Sequence, residues 1–271
     1  MRWFTLLVIL CGSLVVTALG IDAADTAAGS RATLLGLLFV EGDQATFECP
    51  GGMSLLKTGT ARVCIDSYEA GVGSACSKHQ PESVQETLAN VEQTGCIPVS
   101  EIGQVPWRYV PYRAAEQLCG KAGKQLISSL VWYQAALGTT DNPAICGVSG
   151  LLEKTGEHTL CRSGIGAFDM VGNVWELVQG EVRAGEINNA ALPASGYVSV
   201  ITDDGLPRET SSAPVALYGG DYFSAGTVGD RAVMRGGYYN GGTDAGLYNT
   251  HSDIAHDFAS GAVGFRCMLI L

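Results

Sequence analysis

Eight cysteines stand behind an apolar leader: Cys49, Cys64, Cys76, Cys96, Cys119, Cys146, Cys161 and Cys267. The chain opens Met1-Arg2-Trp3, runs mostly apolar from Phe4 to Leu19 and leaves that run through Ala18-Leu19-Gly20. A basic start, a short apolar stretch and a small-x-small exit describe a secretory signal cleaved after Gly20. The run is also near the lower limit of a membrane span, so an uncleaved N-terminal anchor is the alternative. Leu10 before Cys11 is a poor fit to lipid attachment. Export removes Cys11 with the leader and places an even set of cysteines in an oxidising compartment. That favours a disulfide framework over metal binding or free thiols, and no C-x-x-C pair or neighbouring histidine supports zinc. Spacing alone does not choose among the connectivities, so neighbours along the sequence are the default pairing.

What remains after cleavage, about 250 residues, suits one large domain or two small ones. Residues 21–46 read as an N-terminal arm; within it Leu34 to Val40, interrupted by Gly36, is too short to cross a bilayer and reads as a strand or packing arm. No repeat or low-complexity linker divides the chain further on, so 47–271 is taken as one domain. The formal charge of -11, with no basic cluster, argues against nucleic acid and anionic membrane surfaces as partners. Membrane contact is then expected only through the N-terminal segment. The same charge is compatible with bound calcium.

Abundant glycine, few charges and short apolar runs point to little regular structure and long ordered loops. Helical periodicity occurs in three places. Val84, Leu88 and Val91 follow Pro81 at i, i+4 and i+7 and give one amphipathic helix. Pro111 suits a first turn ahead of Ala115, Leu118 and Cys119, with Gly123 as the stop. Ser128 or Ser129 can cap a third helix with Trp132, Ala135 and Ala136 inside and Gly138 at its end. The rest reads as short strands and loops, an α+β chain. Trp107, Trp132 and Trp175 are expected in the core.

Near the C-terminus, Arg235-Gly236-Gly237 and Val263-Gly264-Phe265-Arg266-Cys267 bracket a segment made almost wholly of Tyr, Asn, Gly, Thr, Asp, His and Ser. That composition, rigid aromatic area with adaptable hydrogen bonding, is that of a recognition surface. A solvated loop is the plain alternative, since the same polar residues dominate turns.

Four blocks in order resemble the formylglycine-generating enzyme (sulfatase-modifying factor) family. They are Cys49-Pro50-Gly51-Gly52-Met53 with Cys64-Ile65-Asp66-Ser67-Tyr68-Glu69; the run Tyr112 to Leu126 followed by Trp132; Gly166-Ala167-Phe168-Asp169-Met170-Val171-Gly172-Asn173-Val174-Trp175-Glu176; and the RGG and GFRC brackets. Ile127-Ser128-Ser129-Leu130 departs locally from the family pattern. The resemblance implies a C-type-lectin-like variant fold, with irregular loops on a small sheet, and a disulfide from Cys119 to Cys267. For the others we expect Cys49 with Cys64, Cys76 with Cys96 and Cys146 with Cys161.

Enzymes of this family hold copper through two cysteines placed shortly after the closing Gly-Gly. Those places fall here on Gly241 and Gly246, and no cysteine lies between Cys161 and Cys267. A soft cuprous ion needs thiolates, so formylglycine generation, and with it copper, is expected to be absent and no catalytic residue is assigned. The competing reading is an oxidase of the sulfatase-modifying type, or a related enzyme, using other residues. Carried over, the family's calcium set is Asp169, the carbonyls of Gly172 and Val174, and Glu176, oxygen ligands that suit calcium outside the cell. The alternative is that Asp169 and Asn173 cap turns and Glu176 pairs with a base. His79 and His158 read as exposed and unemployed; a metal pair of His251 and His256 is conceivable. Asp203-Asp204 mark a second ion site or a turn before Gly205.

The same fold also serves as the target protein of diversity-generating retroelements, which rewrite adenines between RGG and GFRC. Residues of the types reachable from asparagine codons fill this segment. The first-choice ligand contacts are Tyr238, Tyr239, Asn240 and Tyr248, joined by Thr243, Asp244, Asn249, His251, Asp253 and His256. The expectation is an exported, disulfide-bonded, non-catalytic relative that binds a protein or glycan through residues 236–262. A structural envelope protein without a soluble ligand is a further possibility.

Overall fold

The computed structural model describes residues 48–271 except 60, 141, 143, 149, 227, 243 and 244. The signal or anchor at 1–20, the arm at 21–46 with its Leu34 to Val40 run, Phe47, and the candidate contacts Thr243 and Asp244 lie outside the described residues. Two compact units divide the chain, Met1–Glu48 and Cys49–Leu271, and every helix and strand among the described residues belongs to the second. Among the described residues no helix is long and apolar enough to cross a membrane.

In chain order the elements begin with β1 (Met53–Thr58), β2 (Ala61–Asp66), β3 (Gly71–Val72), α1 (Val84–Glu92), β4 (Pro98–Val99), α2 (Tyr112–Lys121), β5 (Gln125–Leu126) and α3 (Ser129–Ala136). The second half is built on strands: β6 (Trp175–Val182), β7 (Glu186–Ile187), β8 (Ala190–Ala191), β9 (Gly196–Ile201), β10 (Pro207–Ser211), β11 (Tyr222–Ala225), β12 (Arg231–Arg235), β13 (Thr250–Ile254), β14 (Val263–Phe265) and β15 (Cys267–Ile270). One sheet runs β1-β2-β15-β5 and a larger one β10-β9-β11-β13-β12-β6-β14. The fold is thus mostly sheet with few helices. Glycine-rich composition pointed to less regular structure than this, because most of these strands are too short to show a clear alternation against their many turns.

All three expected helices form: α3 is capped by Ser128 as read, α2 starts after Pro111 with no side-chain cap, and the Ser83 cap of α1 was not among the sequence expectations. Ser83 accepts the Glu86 N–H at 3.3 Å and Ser128 the Val131 N–H at 3.3 Å. The apolar stripe read on α1 faces inward only in part: Val91 packs against the core. Leu88 is exposed, and Thr87 and Asn90 are buried instead. The Thr87 hydroxyl donates to Arg108 O and stands 3.2 Å from the donating Trp107 Nε1, so the helix docks through hydrogen bonds.

The larger sheet separates two apolar clusters. Trp175, Leu177, Met234 and Phe265 pack with α2 and Trp107 on one side; Val178, Val182 and Val233 pack with Trp132 of α3 on the other. Trp107, Trp132 and Trp175 are all buried, as expected. Four disulfides join Cys49–Cys64, Cys76–Cys96, Cys119–Cys267 and Cys146–Cys161. Cys119–Cys267 ties α2 to β15, closing the chain across 148 residues.

Candidate functional site

Both bracketing arginines are fully buried. Arg235 ends β12 beneath α3, where its guanidinium donates to Ser129 Oγ at 2.9 Å and Gly205 O at 2.8 Å and lies 4.9 Å from the Trp132 ring. Asp204 contributes its carbonyl to the same group, so Asp203-Asp204 belong to a turn held by Arg235. Burial lowers the Arg235 pKa to about 10, which leaves it charged at neutral pH. Arg266 donates to both oxygens of Glu176, at 2.7 and 2.5 Å, and to the carbonyls of Asp66 and Phe168. The brackets are structural anchors, and the segment between them starts and ends on fixed points.

Gly236 sits at φ 88°, in the left-handed region, and a Cβ there would come within 2.7 Å of Met170 O. Its carbonyl accepts the Gly172 N–H at 3.0 Å, and Tyr239 N–H donates to Asn173 O at 2.8 Å. The central motif is therefore the bed on which the RGG turn lies. Ala245 packs on Cys146, Cys161 and Val148 of the disulfide loop. Asp221, buried beside β11, accepts the Tyr248 N–H at 2.7 Å.

The expected contacts divide accordingly. Asn240 and Asp253 are exposed, and Tyr239, Tyr248, His251 and His256 half-buried. Tyr238 packs partly against the core and meets Tyr239 edge-on at 5.4 Å. Asn249 is wholly buried, so it supports the loop from below and offers a ligand nothing. It follows Tyr248 at the start of β13, where the chain turns inward. His251 lies against Trp175 and 3.3 Å from Asp253, while His256 stacks on Tyr112 near Glu181. Each has its own carboxylate. His79 is exposed, whereas His158 is half-buried and contacts Glu153. An apolar hollow of about 350 Å³ lined by Ile187, Leu192, Leu206 and Pro207 holds none of the expected contacts.

The calcium set fits an ion only in part. Asp169, Gly172 and Val174 lie in the loop that leads into β6, and Asp169 Oδ2 accepts the Gly156 N–H at 2.6 Å. Glu176 is committed elsewhere: besides Arg266 it accepts the Trp132 indole N–H at 2.7 Å. Among the described residues no three His, Cys, Asp or Glu side chains are gathered as a metal group. Sequence reasoning did not single out Glu69, which is wholly buried and accepts Asn173 Nδ2 at 2.6 Å and the Val174 N–H at 3.1 Å. It organises the central loop, and only its place in the first block hinted at it.

Three buried carboxylates, Glu69, Asp169 and Glu176, thus share Arg266. Burial, then the charges of Asp169 and Glu176, raise the Glu69 pKa well above the usual range. Burial also pushes Asp169 up to about 6, against the Gly156 N–H and Arg266. Unfolded, both titrate near about 4. A group that holds its proton more tightly when folded stabilises the fold as the proton goes on, so stability rises as pH falls from about 6 to about 4. Glu181 and Asp253 are shifted the other way, but Glu181 is only half-buried and Asp253 is exposed, which weakens their effect. In chelator the protein should melt higher at about pH 5 than at about pH 7.5, by an amount worth about 1.4 kcal/mol from Asp169 alone, and Asp169→Asn should flatten the profile. A melting temperature that falls on acidification through that window refutes the assignment.

No protein-family model matches the sequence, and no curated protein does. Among solved structures, the Major Tropism Determinant I1 variant superposes with TM-score 0.50 at 16% identity, over 82% of this chain and 53% of that one. Treponema denticola variable protein 1 gives TM-score 0.38 at 14% identity, over 81% and 99%, and PvdO from Pseudomonas aeruginosa 0.40 at 14%, over 78% and 81%. The chain spans about half the length of the determinant it matches. At this identity the first likeness shows the fold, a C-type-lectin-like one.

Proposed function

We propose that this chain is an exported, non-catalytic binding protein presenting a loop face, within 236–262, on a scaffold of the formylglycine-generating-enzyme type, and that a retroelement diversifies the face. The observation that carries the reading is the bracketing itself: two buried arginines fix the ends of a polar, aromatic segment whose middle reaches solvent. A rigid frame lowers the entropy cost of binding through loops. One structure with this fold is a variant of the Major Tropism Determinant, which supports a binding role. Four disulfides support an oxidising, exported setting.

The oxidase alternative is disfavoured by Gly246. A Cβ at that position would overlap the carboxylate of Asp221, so the second copper-thiolate position is filled by a neighbouring side chain. Calcium remains part of the proposal as a structural ion on Asp169 and the two carbonyls, with Glu176 joining only by releasing Arg266. Added calcium should then flatten the pH profile expected in chelator.

Sequencing codons 236–262 across a population of source cells tests the reading. Substitutions should cluster at adenine positions of codons 239, 240, 253, 256 and 257, with a second copy of the stretch nearby, and spare Gly246 and Asn249. An invariant stretch, or variation spread evenly over buried and exposed positions, overturns it.

A further inference from the structure

Among the described residues four large apolar side chains are more than seven-tenths exposed: Leu151 at 73%, Leu160 at 75%, Leu217 at 77% and Val228 at 74%. Two of them, Leu151 and Leu217, stand on loops outside 236–262 that are bonded directly to it. The Leu151 loop is closed at its root by Cys146–Cys161. Gly150 N–H donates to Tyr239 O at 2.6 Å, and Glu153 N–H donates to Asn173 Oδ1, the residue whose carbonyl holds Tyr239. Leu217 lies in a single 3-10 turn, Ala216–Tyr218, whose Tyr218 ring meets Tyr248 edge-on at 5.1 Å. Asp221, just beyond that turn, holds the Tyr248 N–H.

Both leucines therefore flank the same segment, one beside Tyr239 and the other beside Tyr248. Residues on either side of Leu151, and the turn that carries Leu217, are hydrogen-bonded, which holds both loops in place. One exposed leucine is ordinary, but two that border the same polar aromatic segment, one beside Tyr239 and Asn240 and one beside Tyr248, add apolar area to a single face, and a contiguous apolar area is what marks a contact site. An aliphatic side chain gives a sugar no hydrogen bond and would strip water from its hydroxyls without replacement. It does give a polypeptide partner an apolar contact. The exposed charges on this part of the molecule are Asp253, Asp257 and Glu157 against Lys154 and Arg162, an acidic excess, and the chain as a whole carries -11. Complementarity then calls for a basic surround on the partner.

We infer that Leu151 and Leu217 are fixed apolar anchors which, together with Tyr239, Asn240 and Tyr248, bind a polypeptide partner whose apolar contact residues are ringed by Lys and Arg. This rests on the proposed binding role and names its partner class. It also assigns part of the energy to residues that diversification does not reach, so affinity has a constant component and specificity a variable one.

The test uses defined probes: an array of disulfide-cyclised peptides with Leu, Phe or Trp centres flanked by Lys and Arg, the same centres flanked by Asp and Glu, and an array of oligosaccharides. Each is read with the parent protein, the Leu151→Ser/Leu217→Ser double variant, Tyr239→Ala/Asn240→Ala, and Ile270→Ser as a control on an exposed aliphatic residue of β15. Melting temperatures should be unchanged in the leucine variants, because both side chains are exposed. The expected result is binding to the basic-flanked peptides that falls at least about tenfold in the double leucine variant and not in Ile270→Ser. Binding confined to oligosaccharides, binding to no probe, or peptide binding that survives loss of both leucines overturns the inference. Peptide binding that needs the leucines and ignores Tyr239→Ala/Asn240→Ala sinks the loop-face reading itself.

Discussion

Arg266→Met should cost about 3 to 5 kcal/mol, the range for removing one partner of a buried ion pair. Arg266 is fully buried and is the cation bonded to Glu176, which also lies within reach of the charges on Glu69 and Asp169. Methionine fills much of the volume but donates nothing, so Glu176 keeps only the Trp132 N–H and the carbonyls of Asp66 and Phe168 lose their donor. Small domains hold about 5 to 15 kcal/mol in all, so the variant should sit near the edge of folding. Arg266→Lys should fall between, because an ammonium keeps the charge and loses the fork that spans both carboxylate oxygens. Arg266→Met/Glu176→Met should recover much of the loss, since removing both charges removes the desolvation problem. Denaturant unfolding of the four proteins decides it. A single methionine variant as stable as the parent, or a double variant no better than the single, would show that the pair carries little.

The same arginine shows what was legible in the chain. Its place in GFRC marked the end of a segment, and the four-block resemblance placed Cys119 opposite Cys267, as the structure has it. The cap at Ser128 fixed the start of α3 because capping is local chemistry. What the sequence did not disclose was which way side chains point. Asn249 has the composition of a contact residue and lies in the core, and Leu88 has the period of a core residue and lies outside. Both depend on long-range pairing: β13 is hydrogen-bonded between β11 and β12, strands that precede it with a loop between. Leu151 and Leu217 were invisible for the same reason. Each is an ordinary loop leucine until Gly150 is found bonded to Tyr239 and Tyr218 set against Tyr248. The acidic cluster divided similarly, for Asp169 and Glu176 came from one motif, whereas Glu69, about a hundred residues earlier, joins them only in the fold.

Replacing Cys119 and Cys267 together by serine should lower stability by about 5 kcal/mol, and replacing Cys146 and Cys161 by about 3. The chain-entropy account gives the difference, because the first bond closes 148 residues and the second 15. The consequences for binding should run in the opposite order. Cys119–Cys267 lies in the core between α2 and β15, and its loss leaves Tyr239, Asn240 and the two leucines where they are in whatever fraction remains folded. Cys146–Cys161 packs under Ala245 and closes the loop that carries Leu151, so its loss frees one flank of the face while the sheets stay formed. Measured on folded protein below its melting temperature, peptide-array binding should be close to normal in the first variant and reduced in the second, although the second is the more stable. The opposite ranking would mean that the disulfide loop does not position the face, and that the contacts of Gly150 and Ala245 with it contribute little to its shape.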